Sequence, residues 1–84
     1  MKKYIIPDTI AISDSGFLFQ PATGETFNLN KIGKDIFQML QKGENEEHIF
    51  KFILEEYDID NVSFEKDFND FITQLQKYTL IKDE

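Results

Sequence analysis

Carboxylates are the most abundant side chains in this sequence that could do acid–base chemistry. The 84 residues contain 16 Asp and Glu but a single His and no Cys. Close carboxylate pairs occur at Glu46/Glu47, Glu55/Glu56 and Asp67/Asp70. An acid–base site needs a pocket that shifts a pKa, whereas these pairs alternate with other polar residues, as on solvated helix faces. We therefore expect no catalytic residue and no enzyme activity.

Residue types that hold metals, cofactors or nucleophiles are nearly missing. Without Cys the chain can have neither disulfides nor thiolate sites. His48 alone cannot make a typical zinc site, which needs several N or S ligands, so it is interpreted as a solvated helix residue. No phosphate loop, nucleotide fingerprint or Ser-His-Asp arrangement is present. We expect no metal and no cofactor.

The charge of the chain also limits its partners. The formal net charge is −7 and the sequence contains no Arg, whereas nucleic acids and anionic membranes both attract cationic surfaces. The longest apolar runs, such as Phe52–Leu54, have three residues, against the roughly 20 of a membrane span. Met1–Pro7 lacks the long apolar region of a signal peptide. We expect a cytoplasmic location, with neither nucleic acid nor membrane as partner.

The apolar pattern of the first third of the chain predicts strands. Residues 4–29 alternate apolar and polar side chains, interrupted by turn clusters at Asp14–Gly16 and Pro21–Gly24. This pattern predicts three short strands. The last two, Phe17–Gln20 and Glu25–Leu29, should form a hairpin because only the second turn cluster separates them.

From residue 30 onward the apolar period becomes helical. It predicts helices at about 31–42, 46–57 and 63–78. Asn30 and Asn45 are suitable N-caps for the first two helices, and Ser63 or Asp60 for the third. Gly43 is suited to end the first helix.

The third helix carries a wide apolar stripe with spacings of three and four residues. Its members are Phe64, Phe68, Phe71, Ile72, Leu75 and Tyr78. After the helix, Leu80 and Ile81 should fold back onto the core. The sequence therefore predicts one α+β domain over residues 1–84, in which a three-stranded antiparallel sheet precedes three helices in a winged-helix-like arrangement.

Two kinds of binding fit this topology. A helix-turn-helix suggests DNA, but a recognition helix should direct Lys or Arg outward, and the third helix is mostly acidic or neutral. The strand Glu25–Leu29 carries neither Lys nor Pro to blunt its edge. Either this edge is short and covered by a helix, or it accepts a peptide as an added strand. The same edge would also permit a strand-paired homodimer.

One family matches this order of residues. Gly16–Asn30, followed by Gly33 and Ile36–Phe37, resembles the pyrroloquinoline-quinone biosynthesis protein D (PqqD-like) family. The similarity continues at Leu40 with Gly43, at Ile49–Tyr57, at Asp67–Phe71 and at Leu80–Ile81. It covers about residues 10–81.

The resemblance implies a recognition element for precursors of ribosomally synthesised, post-translationally modified peptides. Such domains bind the leader segment as an extra strand between the third strand and the third helix. They deliver the precursor to a radical S-adenosylmethionine enzyme, or to a protease or cyclase of a lasso-peptide pathway. Carried onto this sequence, the binding residues are Glu25, Thr26, Phe27, Asn28, Leu29, Asp67, Phe68, Phe71 and Gln74. Phe27 matches an aromatic strand position, and Asp67 an acidic helix position.

Two alternatives stay open beside this interpretation. One is a winged-helix regulator or adaptor that binds protein, with DNA the weaker option. The other is an enzyme subunit that contributes no catalytic residue. A precursor gene and a maturation enzyme gene beside this one would favour leader binding over both.

Overall fold

A computed structural model describes residues 4–83 of the protein. Over these residues the chain forms five strands and three helices. They are β1 (Tyr4–Ile5), β2 (Ala11–Ile12), β3 (Phe17–Gln20), β4 (Glu25–Asn28), α1 (Lys31–Gln41), α2 (Glu46–Glu56), α3 (Asn61–Lys77) and β5 (Lys82–Asp83). The antiparallel sheet β2-β3-β4 is followed by three helices, which confirms the predicted fold class.

The β3–β4 hairpin forms the centre and one edge of this sheet. Its register pairs Leu18 with Phe27, and the N–H of Leu29 still donates to the carbonyl of Gly16 at 2.8 Å, one residue beyond the end of β4. At Gly16 the backbone has φ +91°, and a Cβ would lie 2.4 Å from the oxygen of Leu29. Only glycine fits there, because both the left-handed φ and the close strand contact exclude a side chain.

The sheet has one face against the helices and one face toward solvent. Along β3, Leu18 and Gln20 are buried, whereas Phe17 and Phe19 are exposed. Successive strand residues point to opposite faces, so Leu18 and Gln20 belong to the core face. Gln20 is satisfied there, since its side-chain amide donates to the carbonyl of Thr79 at 3.2 Å.

All three helices begin at a side-chain cap. Asn30 and Asn45 accept N–H groups of their first turns, as predicted. The third helix begins at Asn61, two residues before the predicted start at 63. The reason is that Asp60 is the cap, and its carboxylate accepts the N–H of Ser63 at 3.0 Å.

A second, two-stranded sheet joins the ends of the described chain and was not predicted. β1 pairs antiparallel with β5, with Tyr4 opposite Asp83. The turn before β5 contains Thr79 at φ +56°, and it folds Leu80 and Ile81 into the core, where both are buried. The predicted fold-back of these two residues is therefore confirmed.

The core lies between the inner face of the sheet and the three helices. From α3 it takes the centre of the predicted stripe, whereas Phe71 and Tyr78 at its margins are half-buried. The buried α3 residues are Phe64, Phe68, Ile72 and Leu75. No helix within residues 4–83 is long and apolar enough to cross a membrane.

Candidate functional site

Strand β4 presents a free edge. The sheet order is β2-β3-β4, and over residues 4–83 no strand pairs with the outer side of β4. The N–H of Leu29 donates to the carbonyl of Gly16, the residue just before β3. From this bond the β3–β4 register alternates, so that Phe27 and Glu25 direct their backbone N–H and C=O groups toward β3. In an antiparallel pair the intervening residues direct their N–H and C=O away from the partner. The outward groups of β4 are therefore those of Thr26 and Asn28.

A groove of about 390 Å³ opens beyond the end of β4. It lies between the strand end, the first turns of α1 and the first half of α3. Its lining residues are Asn28, Leu29, Asn30, Ile32, Gly33, Ile36, Ile59, Phe64, Asp67, Phe68 and Phe71. Most of these side chains are apolar, so the groove suits aliphatic or aromatic groups of a ligand.

The floor of the groove is firmly packed. Phe64 and Phe68 are buried and lie 6.0 Å apart between ring centroids. Phe50 of α2 makes edge-on contacts with both rings at 4.9 Å. Aromatic rings in such arrangements attract each other beyond their buried area. The floor can therefore keep its shape when a ligand enters.

Gly33 creates part of the space. A Cβ at this helical position would lie 3.2 Å from the cap oxygen of Asn30, 3.5 Å from the Cβ of Leu29 and 3.6 Å from the ring of Phe71. Any larger side chain would therefore enter the groove between the strand end and α3. The absence of a side chain keeps this passage open.

Asp67 is the one acidic residue in the lining of this groove. It is exposed on α3, and its carboxylate has no hydrogen bond or ion pair among the described residues. Asp70, one turn away, instead pairs with Lys66 at 3.2 Å and does not line the groove. Asp67 can therefore accept a hydrogen bond from a bound molecule without losing an internal partner.

The structure brings only some of the sequence-predicted residues to this groove. Those that line it are Asn28, Leu29, Asp67, Phe68 and Phe71. Glu25, Thr26 and Phe27 lie further back along β4. Gln74 is exposed on α3 outside the lining.

Two predicted aromatic positions have structural partners. The ring of Phe27 packs on Tyr78 of α3 with centroids 5.1 Å apart. Phe68 is 1% exposed, so it forms the floor and offers a ligand very little surface. The structure therefore places Phe68, which the family resemblance implied as a binding residue, in the core beneath the groove.

Sequence reasoning did not select several lining residues. Ile32 and Ile36 follow the helical period of α1, which predicts burial but does not distinguish groove from core. Ile59 lies between α2 and α3, where the backbone path has no periodic signal. These three positions could be assigned to the groove only from the three-dimensional arrangement of the chain.

A polar cluster fixes the segment that carries Ile59. The Tyr57 hydroxyl donates to the Asp35 carboxylate at 2.5 Å and accepts from Lys31 Nζ at 3.1 Å. The bond to Asp35 raises the pKa of Tyr57, and the bond with Tyr57 raises the pKa of Lys31. This cluster joins the start of α1 to the end of α2 and lies outside the groove lining.

The site has the features of a binding surface. Over residues 4–83 no group of three or more His, Cys, Asp or Glu is placed to hold a metal ion. What the site does offer is an unpaired strand edge, an apolar groove and a single carboxylate at its margin. Such an arrangement can take an extended peptide, whose backbone would pair with the strand while its side chains enter the groove.

Comparison with known proteins finds one matching family and two similar solved structures. The family described as coenzyme PQQ synthesis protein D (PqqD) matches residues 16–81. TbiB1, solved in complex with the TbiA(beta) leader peptide, is 31% identical, with 92% of this chain and 93% of that chain covered and a TM-score of 0.81. No curated protein sequence matches significantly.

The second solved structure is a lasso peptide synthetase B1 complexed with the leader peptide. The two sequences are 23% identical, the match covers 95% of this chain and 98% of that chain, and the TM-score is 0.80. At this identity the likeness establishes a common fold over nearly the whole chain.

Proposed function

The chain belongs to the PqqD family, and on this basis we propose that it binds the leader segment of a ribosomal precursor peptide and delivers the precursor to a modifying enzyme. The leader would add a strand to the free edge of β4. The observation that carries this proposal is the unpaired edge directly beside an apolar groove. TbiB1, the 31% identical protein, was solved with a leader peptide bound.

The backbone of β4 supplies the first part of the affinity. Thr26 and Asn28 each offer one outward N–H and one outward C=O, so an added strand can form up to four hydrogen bonds. At about 1 kcal/mol each, these contribute roughly 4 kcal/mol. Backbone bonds hold any extended peptide, so selectivity must come from side chains.

The groove supplies the second part, together with the selectivity. Alternate side chains of an added strand would point toward α3, where Leu29 and Phe71 form half-buried walls above the Phe64 and Phe68 floor. Burying one or two apolar side chains contributes about 1.5–3 kcal/mol each. After the costs of association and ordering, an affinity near micromolar, or about −8 kcal/mol, is expected.

The remaining predicted residues are assigned supporting roles. Asp67 would accept a donor from the leader at the groove margin. Glu25 and Phe27 would contact the part of the leader paired with the start of β4, and Gln74 the part that extends along α3. These assignments follow their positions around the strand edge.

In this proposal the chain is a carrier and has no catalytic role. The chemistry would belong to the modifying enzyme, either a radical S-adenosylmethionine enzyme or a protease or cyclase of a lasso-peptide pathway. The encounter would take place in the cytoplasm, where a ribosomal precursor is made.

The test blocks the strand edge without touching the hairpin. Thr26→Pro removes an outward N–H and places a ring where the leader must approach to about 4.8 Å. An edge strand tolerates Pro at such a position. Thr26→Ala is the matched control, because it removes the side chain but keeps the N–H.

Binding is measured by fluorescence anisotropy with a labelled leader from the precursor encoded beside this chain. The parent should bind at micromolar concentrations. Thr26→Pro should bind the leader at least about tenfold more weakly, because it loses one backbone hydrogen bond and its ring blocks the approach of the leader. Thr26→Ala should bind within about threefold of the parent, because that change removes neither backbone group. No binding by the parent, or equal binding by all three proteins, contradicts the proposal.

A further inference from the structure

The segment between α2 and α3 supplies one wall of the groove although it has no regular structure. Its Ile59 is half-buried and lines the groove together with Ile32 of α1. The chain leaves α2 at Tyr57 with an extended backbone, at φ −125° and ψ 145°, and α3 begins at its cap, Asp60. The position of this wall therefore depends on what holds residues 57–60.

The polar cluster of Tyr57, Asp35 and Lys31 joins this segment to α1. The Tyr57 hydroxyl donates to the Asp35 carboxylate at 2.5 Å and accepts from Lys31 Nζ at 3.1 Å. Within the segment the N–H of Ile59 donates to the Tyr57 carbonyl at 3.0 Å. The residue that is anchored on α1 is thus bonded directly to the residue that lines the groove.

The bond between Tyr57 and Asp35 is the stronger part of the polar cluster. The Asp35 side chain is 18% exposed, whereas that of Lys31 is 74% exposed. Water competes less for a hydrogen bond in a shielded position, and hydrogen bonds to a charged group are stronger than those between neutral groups. The exposed ammonium of Lys31 adds little. The pKa of Tyr57 is raised, chiefly by its bond to Asp35, so the hydroxyl stays a donor at neutral pH.

The polar cluster reaches the part of α1 that lines the groove. Asp35 directly precedes Ile36, and Ile36 and Ile32 both line the groove. Asp35 and Tyr57 lie outside that lining. Because intrahelical hydrogen bonds hold each turn of a helix in a fixed geometry, fixing Tyr57 against Asp35 also fixes Ile59 relative to the two isoleucines.

We propose that Tyr57 and Asp35 are positioning residues for leader binding and that they act through Ile59. The inference rests on the proposed leader binding. With the polar cluster in place, Ile59 occupies its wall position before the leader arrives, so binding loses no free energy to the ordering of residues 57–60. Without the cluster this wall is ordered only on binding, and the apolar side chains of the leader meet a less defined groove. Tyr57 and Asp35 thereby raise the affinity without contacting the leader.

A double-mutant cycle tests whether Tyr57 acts through Ile59. Tyr57→Phe removes the hydroxyl but keeps the ring, Ile59→Ala removes the wall side chain, and a third protein carries both changes. Tyr4→Phe is the matched control, because it loses the bond from another Tyr hydroxyl to a carboxylate, at 2.9 Å from Glu46 Oε1, and neither of these residues lines the groove. Each folded protein is titrated with the labelled leader of the precursor encoded beside this chain.

The single and double variants have distinct expected affinities. Tyr57→Phe should bind the leader about threefold to tenfold more weakly than the parent, as expected for one lost hydrogen bond. Ile59→Ala should weaken binding at least as much, because the leader loses part of an apolar wall. The double variant should match Ile59→Ala within about twofold, because changes that act through one contact are not additive. Tyr4→Phe should bind within about twofold of the parent, since its lost bond lies away from the groove.

The conservative variant of Asp35 tests the hydrogen bond itself. Asp35→Asn keeps an oxygen that can accept from the Tyr57 hydroxyl, whereas Asp35→Ala removes the acceptor. Asp35→Ala should bind the leader as weakly as Tyr57→Phe, and Asp35→Asn should retain more of the parent affinity. Equal losses in the two Asp35 variants would overturn the inference, because the accepted hydrogen bond would then not be what positions Ile59.

Three results would overturn the inference while leaving leader binding intact. They are parent affinity in Tyr57→Phe, losses that multiply in the double variant, and an equal loss in Tyr4→Phe, which would indicate general destabilisation. If the parent binds no leader, the proposed function fails instead. Amide exchange of the free proteins then still tests the positioning, because the N–H of Ile59 should exchange at least about threefold faster in Tyr57→Phe. Unchanged exchange at Ile59 would show that the polar cluster does not hold this wall.

Discussion

Replacing Asp67 should weaken leader binding without weakening the fold. The Asp67 carboxylate is exposed at the groove margin and has no hydrogen bond or ion pair among the described residues. Ala is also a better helix former than Asp, so Asp67→Ala should leave the stability unchanged or slightly higher. A hydrogen bond to a charged group contributes about 1.5–3 kcal/mol. The variant should therefore bind leader roughly ten to a hundred times more weakly.

A neighbouring carboxylate provides the control for charge. Asp70 lies on the same helix outside the groove lining and pairs with Lys66 at 3.2 Å. Asp70→Ala removes the same charge, and the exposed pair that it breaks contributes at most about 1 kcal/mol to stability. Its leader affinity should stay within about threefold of the parent, because it loses no groove contact.

The assay is calorimetric titration of leader into each protein after circular dichroism has established equal helix content. Because both variants change the net charge equally, a general electrostatic effect would lower both affinities alike. Equal binding by folded Asp67→Ala and the parent would refute the role assigned to Asp67. Equal losses in the two variants would refute a direct contact.

Four further substitutions test the structure around the site. Gly16→Ala should destabilise the domain by about 2 kcal/mol or more, since φ is +91° and a Cβ would meet backbone at 2.4 Å. Gly24 has φ +77° but open space around it. In urea denaturation the free energy of unfolding should therefore fall by about 1 kcal/mol less for Gly24→Ala than for Gly16→Ala. Bonding to Asp35 raises the pKa of Tyr57; the folded state thus holds this proton more tightly than the unfolded state. The free energy of unfolding that this bond contributes is fully present below about pH 10, the ordinary pKa of Tyr, and should fall as the pH rises through the raised pKa of the folded state. The fall should be smaller in Tyr57→Phe, because that variant has no phenol to ionise at this position. Phe68→Ala should lower the free energy of unfolding by about 3–5 kcal/mol, because this ring is packed on all sides in the groove floor. A Phe68→Ala variant that is as stable as the parent would contradict this structural role.

The sequence predicted the elements well where local signals were strong. The change of apolar period after Leu29 located the helices, and the caps at Asn30 and Asn45 fixed where two of them begin. The start of α3 was placed two residues late because both Asp60 and Ser63 are good caps. Only the backbone geometry distinguishes the residue that accepts the hydrogen bond from the one that donates it.

Long-range features were harder to predict. The pairing of β1 with β5 joins residues nearly 80 positions apart through strands of two residues each, which are too short to give a periodic pattern. The strand edge of the candidate site was predictable because β4 lacks Lys and Pro. The groove was not, because its walls combine α1, α3 and Ile59 from the segment between α2 and α3.

Amide chemical shifts during leader titration test the central claim most directly. If the leader adds a strand to β4 and fills the groove, the largest changes should occur in residues 25–29 and 64–75. The outward N–H groups of Thr26 and Asn28 should also become protected from hydrogen exchange. Changes confined to α2, with residues 25–29 unaffected at saturation, would contradict strand addition at this edge.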